Sequence, residues 1–143
     1  MPNYTYNDIY IKADEATITR IKTRASKGGA VFSFNNFIPE RPNDPKYQNM
    51  KEKWGGSDYE GNENFNWYDW RVDNWGCKWD AGDPEIKELS PTELQITFRT
   101  PWDAPREFAK RFSKMYQFKE FEWYAMDEDD YDNWYKVVVK MSK

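Results

Sequence analysis

Histidine is absent from the chain, and cysteine occurs once, at Cys77. Without imidazole there is no Ser-His-Asp or Cys-His nucleophile system, no histidine general base and no His-containing zinc or iron site. With one thiol there is neither an intrachain disulfide nor a thiolate cluster, a usage that fits a reducing cytosol. Cys77 itself is expected as a small buried hydrophobe. Leucine is nearly missing as well, with Leu89 and Leu94 its two occurrences. No run approaches the roughly 20 apolar residues of a membrane span. The opening Met1 to Asp8 has neither the basic nor the apolar region of a signal peptide. The expectation is a cytoplasmic protein that does not engage a membrane.

What replaces leucine is aromatic: Trp 8, Tyr 10 and Phe 9 in 143 residues. Disordered segments are poor in such rings, so the chain is expected to fold despite 32% charged residues. Its core must be built from large flat side chains, which favours strands over a Leu-packed bundle. The length suits one domain, 1–143, burying about 68–70% of its unfolded surface. A net charge of -4 disfavours general nucleic-acid binding, which needs a basic surface.

Tyr4 to Ile11 alternates as a strand, with Tyr4, Tyr6, Asp8 and Tyr10 on one side and Ile9 and Ile11 pointing inward. Asp14 is positioned as an N-cap, Ile18, Ile21 and Ala25 follow at helical spacing, and Gly28-Gly29 supplies the stop. Ala30 to Phe34 reads as a second strand with Val31 and either Phe32 or Phe34 buried. Pro39 to Gly61 reads as a long surface connection. Phe65 to Val72 reads as a short helix with Phe65, Tyr68 and Val72 inward, and Trp75 to Asp80 as extended chain before a turn at Gly82-Asp83-Pro84. Glu85 to Leu89 and Glu93 to Thr100 form a hairpin, with Leu94, Ile96 and Phe98 facing the core. Asp103 then caps a helix with Pro105 in its first turn and Phe108, Phe112 and Met115 inward. Phe118 to Ala125 and Trp134 to Met141 are the last two strands. The order suits an α+β fold: a ferredoxin-like antiparallel sheet covered by two helices, with a Trp-rich helical insertion at about 40–82.

The densest charge feature is Asp127-Glu128-Asp129-Asp130-Tyr131-Asp132. It fails as a calcium loop, because Tyr131 stands where a third oxygen ligand belongs and the required glycine and distal Glu are missing. Its readings are a solvated turn between strands or a partner-binding patch formed by Asp127, Glu128, Asp129, Asp130 and Asp132. Gly28-Gly29 and Gly55-Gly56 lack the context of a phosphate-binding loop, and so many carboxylates select no catalytic pair. No enzyme, cofactor or metal is expected. Tryptophans such as Trp67, Trp70, Trp75 and Trp79 could stack on sugars or bases, or fill the leucine-poor core.

Four segments carry a family resemblance: Met1-Pro2-Asn3, Phe32 to Pro39, Trp75-Gly76-Cys77-Lys78-Trp79-Asp80-Ala81, and Phe98 to Pro105. In order and spacing the chain resembles the YubB-like family of phage and plasmid accessory proteins, which implies a ferredoxin-like domain and a mobile genetic context. It departs from that family at Tyr4-Thr5, where Trp-Cys is usual, and in its acidic tail segment. The family supplies no catalytic residues to carry over. Trp75, Lys78, Trp79 and Asp80 are expected to lock the insertion to the sheet, with Lys78 and Asp80 on one face and Cys77 and Trp79 on the other.

The functional expectation joins these points. A small mobile-element protein would inhibit a host nucleic-acid-directed defence system, a CRISPR effector or restriction enzyme, by binding it through the acidic patch rather than by touching nucleic acid. The alternatives are a carbohydrate or similar ligand-binding module using exposed tryptophans, and a structural accessory protein.

Overall fold

In the computed structural model residues 3–137 are described, and five antiparallel strands form one sheet in the order β2-β3-β1-β4-β5. They are β1 (Tyr4–Lys12), β2 (Gly82–Ser90), β3 (Glu93–Pro101), β4 (Glu120–Asp127) and β5 (Tyr135–Lys136). The central strand β1 runs in register with β3 and β4, pairing Ile9 with both Ile96 and Trp123. Strict alternation sends Ile9, Ile11, Leu94, Ile96 and Phe98 to one face, buried as expected, and buries Trp123 with them. Among the described residues five α-helices accompany the sheet: α1 (Glu15–Ala25), α2 (Phe34–Phe37), α3 (Met50–Trp54), α4 (Trp67–Asn74) and α5 (Arg106–Met115).

Helix α1 starts where Asp14 Oδ1 accepts the Thr17 amide at 2.7 Å, and it buries Ile18, Ile21 and Ala25. Helix α5 buries Phe108 and Phe112, whose rings stack at 5.4 Å and meet Phe32, Phe34 and Phe37 edge-on or tilted. This ring cluster fills the space that leucines occupy elsewhere. Each buried aromatic pair adds about 0.5–1.5 kcal/mol beyond its area.

Several local expectations are corrected. Ala30 to Phe34 is not a strand: Asp80 accepts the Phe34 amide and the Ser33 hydroxyl, both at 2.6 Å, and so seeds α2. Phe32 and Phe34 are both buried, while Val31 is exposed. The connection after Pro39 is more structured than the lapse in pattern suggested, since it contains α3 and buries Tyr47 and Met50. Helix α4 begins at Trp67 because Asn66 Oδ1 accepts the Asp69 amide, which turns Trp70 inward and leaves Val72 exposed. Gly82 to Pro84 belongs to β2 through an irregular register instead of forming a turn. Pro105 occupies the N-cap of α5, while Asp103 binds the Ala104 amide and pairs with Arg106. Of the expected final strand, Tyr135–Lys136 pairs with β4, and residues 138–141 lie outside the described residues.

The insertion is fastened to α5 at Gly76. Its φ is +89°, and a Cβ there would stand 2.8 Å from the Arg106 amide nitrogen, so glycine is required both by conformation and by space. Next to it, the Phe108 amide donates to the Trp75 carbonyl at 3.1 Å.

Candidate protein-binding face

The alternation that buries one side of the sheet leaves Tyr4, Tyr6, Asp8 and Tyr10 of β1, Glu93, Gln95, Thr97 and Arg99 of β3, and Glu122 and Tyr124 of β4 facing away from the core and at least partly exposed. At the Tyr4 end of this face lies a hollow of about 510 Å³. Tyr6, Asp8, Thr97, Arg99 and Met126 form its floor, Asp83 closes one side, and Tyr131 and Trp134 reach over from the acidic segment.

Electrostatics in the hollow are one-sided. Arg99, the cation among its described lining residues, lies over the Tyr4 ring at 4.3 Å and pairs with Asp83 at 3.1 Å. Asp8 accepts from the neutral Gln95 amide, at 3.0 and 3.2 Å, and takes part in no ion pair among the described residues. A carboxylate among aromatic and thioether walls is complementary to an arginine or lysine side chain, whose stem packs on rings while its head pairs with the acid.

The acidic segment divides into carboxylates that bond to β1 and carboxylates that do not. Asp127 Oδ1 accepts from the Thr5 hydroxyl at 2.9 Å and the Tyr135 hydroxyl at 3.1 Å, and Glu128 Oε2 accepts the Tyr4 amide at 2.8 Å. Burial, and secondly the Asp127 carboxylate, push the Tyr135 hydroxyl up to about 12. These bonds tie the turn to the end of β1. Asp129, Asp130 and Asp132 remain exposed, with Asp130 bonded to the Asn133 amide at 3.0 Å. Asp132 has φ of +68°, in the left-handed region, where Asp and Asn are among the better-tolerated residues. Among the described residues no group of three or more His, Cys, Asp or Glu side chains is arranged to hold a metal ion.

The segment from Trp75 to Asp80 also divides. Trp75 is buried, donates its indole N–H to the Ile38 carbonyl at 3.0 Å and meets Phe34 and Trp70 edge-on. Asp80 organises the start of α2. Trp79 is 38% exposed, and the Lys78 ammonium lies between its ring and that of Trp102, 4.5 and 4.1 Å from their centroids. Cys77 is 5% exposed, and burial pushes its thiol up to about 12, which removes it as a nucleophile at neutral pH. Cys77 and Trp79 therefore differ in environment, because turns and bends replace the extended chain expected there.

Sequence reasoning missed Asp8, Tyr6, Tyr131, Trp134 and Trp102. The alternation from Tyr4 already put Tyr6 and Asp8 on one side. What it lacked was the pairing that brings Tyr131 and Trp134 beside them. No helix among the described residues is long and apolar enough to cross a membrane. Comparison with protein-family models finds no match, and no significant match is found among curated proteins or solved structures.

Proposed function

We propose that this chain is a non-catalytic binding protein whose open sheet face and adjoining acidic turn seat basic side chains of a protein partner. The observation that carries this reading is the convergence of Asp8 with Tyr6, Met126, Tyr131 and Trp134 in one hollow, with the exposed Asp129, Asp130 and Asp132 close to Tyr131 in the sequence. We further propose that the partner is a host defence protein or nuclease complex that handles nucleic acid through a basic channel, which such a surface would occupy. Support for that step comes from the acidic charge pattern and from the resemblance of four sequence segments to the YubB-like family. The strand order β2-β3-β1-β4 supports a ferredoxin-like reading of the framework, with β5 added at one edge. Capture of partners from bacterial extract on the immobilised chain, identified by mass spectrometry, tests the proposal. A partner that itself binds nucleic acid, and is released by added DNA, is expected. A partner indifferent to DNA would contradict the reading.

A second reading, a carbohydrate or similar ligand module, is favoured by one observation: Trp79 and Trp102 are 38% and 57% exposed and flank Lys78. Trp102 also holds φ of +68°, a costly conformation for a bulky residue. A change in tryptophan fluorescence with an oligosaccharide, lost in Trp102→Ala, is its test.

A further inference from the structure

A second cavity, of about 610 Å³, opens between α5, α4 and the chain that follows α2, and it is lined by residues of the opposite charge. Arg111 and Lys114 enter it from α5, and Arg41 enters from the turn beyond Pro39. Asp44 is the carboxylate in the lining, so three cations face one anion and two positive charges are in excess. Asp44 is itself engaged locally, accepting the Lys46 amide at 3.1 Å. Among the described residues, none of Arg41, Arg111 and Lys114 takes part in an ion pair. The remaining walls are apolar, with Phe37, Ile38, Trp70 and Met115 among them.

Six basic residues of the described chain pair with carboxylates, and the three that line this cavity are not among them. We propose that the cavity is a binding site for a small phosphomonoester with an apolar or aromatic body. A phosphomonoester carries about -1.5 to -2 at neutral pH, which matches the excess of two. Guanidinium groups bind phosphate oxygens in bidentate fashion, and two of them line this cavity together with an ammonium. Volume points the same way, because pockets of roughly 300–1,000 Å³ hold ligands of small-molecule size. Nucleic acid is the poorer occupant, as its extended phosphate chain would meet the acidic remainder of the surface.

Isothermal titration with phenyl phosphate and with inorganic phosphate tests the site. Phenyl phosphate is expected to bind saturably and more tightly than inorganic phosphate, because only the former uses the apolar walls. Arg41→Gln and Arg111→Gln, both at exposed positions and checked for parental melting, should each weaken binding about tenfold or more. Lys27→Gln, an exposed charge change outside the cavity, should leave it unchanged. Absence of saturable binding at millimolar phenyl phosphate overturns the proposal, as does an equal loss in Lys27→Gln. A single-stranded oligonucleotide that binds more tightly than phenyl phosphate and depends on the same arginines would overturn the small-ligand assignment.

Discussion

The indole N–H of Trp123, in β4, donates to the side-chain oxygen of Asn7, in β1, at 3.0 Å, and both residues are buried. Asn7 passes the connection on, donating to the Thr100 hydroxyl at 3.1 Å, which in turn donates to the Asp103 carbonyl at 2.6 Å. One polar chain thus joins three adjacent strands on the core side of the sheet. Asn7→Ala strands the buried indole donor and should cost about 1–3 kcal/mol, read as a lower urea midpoint. An unchanged midpoint would mean that the network contributes nothing net.

Trp75 and Trp79 should separate in stability although they sit four residues apart in one segment. Trp75→Ala removes a buried, hydrogen-bonded ring and should cost about 3–5 kcal/mol. Trp79→Ala removes a partly exposed ring stacked on Lys78 and should cost about 0.5–1 kcal/mol. Parallel denaturant titrations decide. Equal losses would place Trp79 in the core.

Cys77 should resist alkylation in the native protein. Its thiol is buried, is pushed up to about 12 and donates to the Trp79 carbonyl at 3.2 Å. Iodoacetamide at mildly alkaline pH is expected to label the urea-unfolded chain rapidly and the native chain only as fast as it opens. Fast native labelling would contradict this burial.

Acid should weaken the fold in part through Asp14 and Glu93. Hydrogen bonds from the Thr17 side chain, then from its amide, hold the Asp14 carboxyl below its ordinary value. The Tyr10 hydroxyl, then that of Ser90, does the same for Glu93. A lowered folded-state value means that the contribution is complete above the ordinary carboxylate range and disappears as pH falls through the depressed value. Asp14→Ala should therefore be less stable than the parent at neutral pH, with the gap closing in acid. A gap that stays constant with pH would assign the loss to something other than the ionised cap.

Elements governed by local periodicity were legible in the sequence: β1, α1 with its Asp14 cap, the β2-β3 hairpin and the Phe108 and Phe112 stripe of α5. The segment from Ala30 to Asp80 was legible only in its helix near Phe65 to Val72, observed as α4, because the rest of its structure depends on distant partners. Asp80 starts a helix at Phe34, and Trp75 finds its acceptor at Ile38. Neither pairing leaves a periodic trace. For the candidate face, the acidic turn and the side of β1 bearing Tyr6 and Asp8 could each be read, yet their union could not, since it rests on the register of β4 against β1. The two anchoring carboxylates, Asp127 and Glu128, were likewise indistinguishable from their neighbours in a run of like charges.

That distinction defines the most direct test of the binding face. Asp8→Asn, Asp129→Asn, Asp130→Asn and Asp132→Asn, combined in one chain, remove the Asp8 charge of the hollow and the three exposed aspartates of the adjoining turn while preserving shape and leaving Asp127 and Glu128 in place. Association with the captured partner should be measured for parent and variant over a range of ionic strength. The account expects slower association for the variant and a flatter salt dependence, at parental melting temperature, because facing charges act chiefly on encounter. A variant that binds as fast as the parent at low salt would contradict the acidic face as the partner surface.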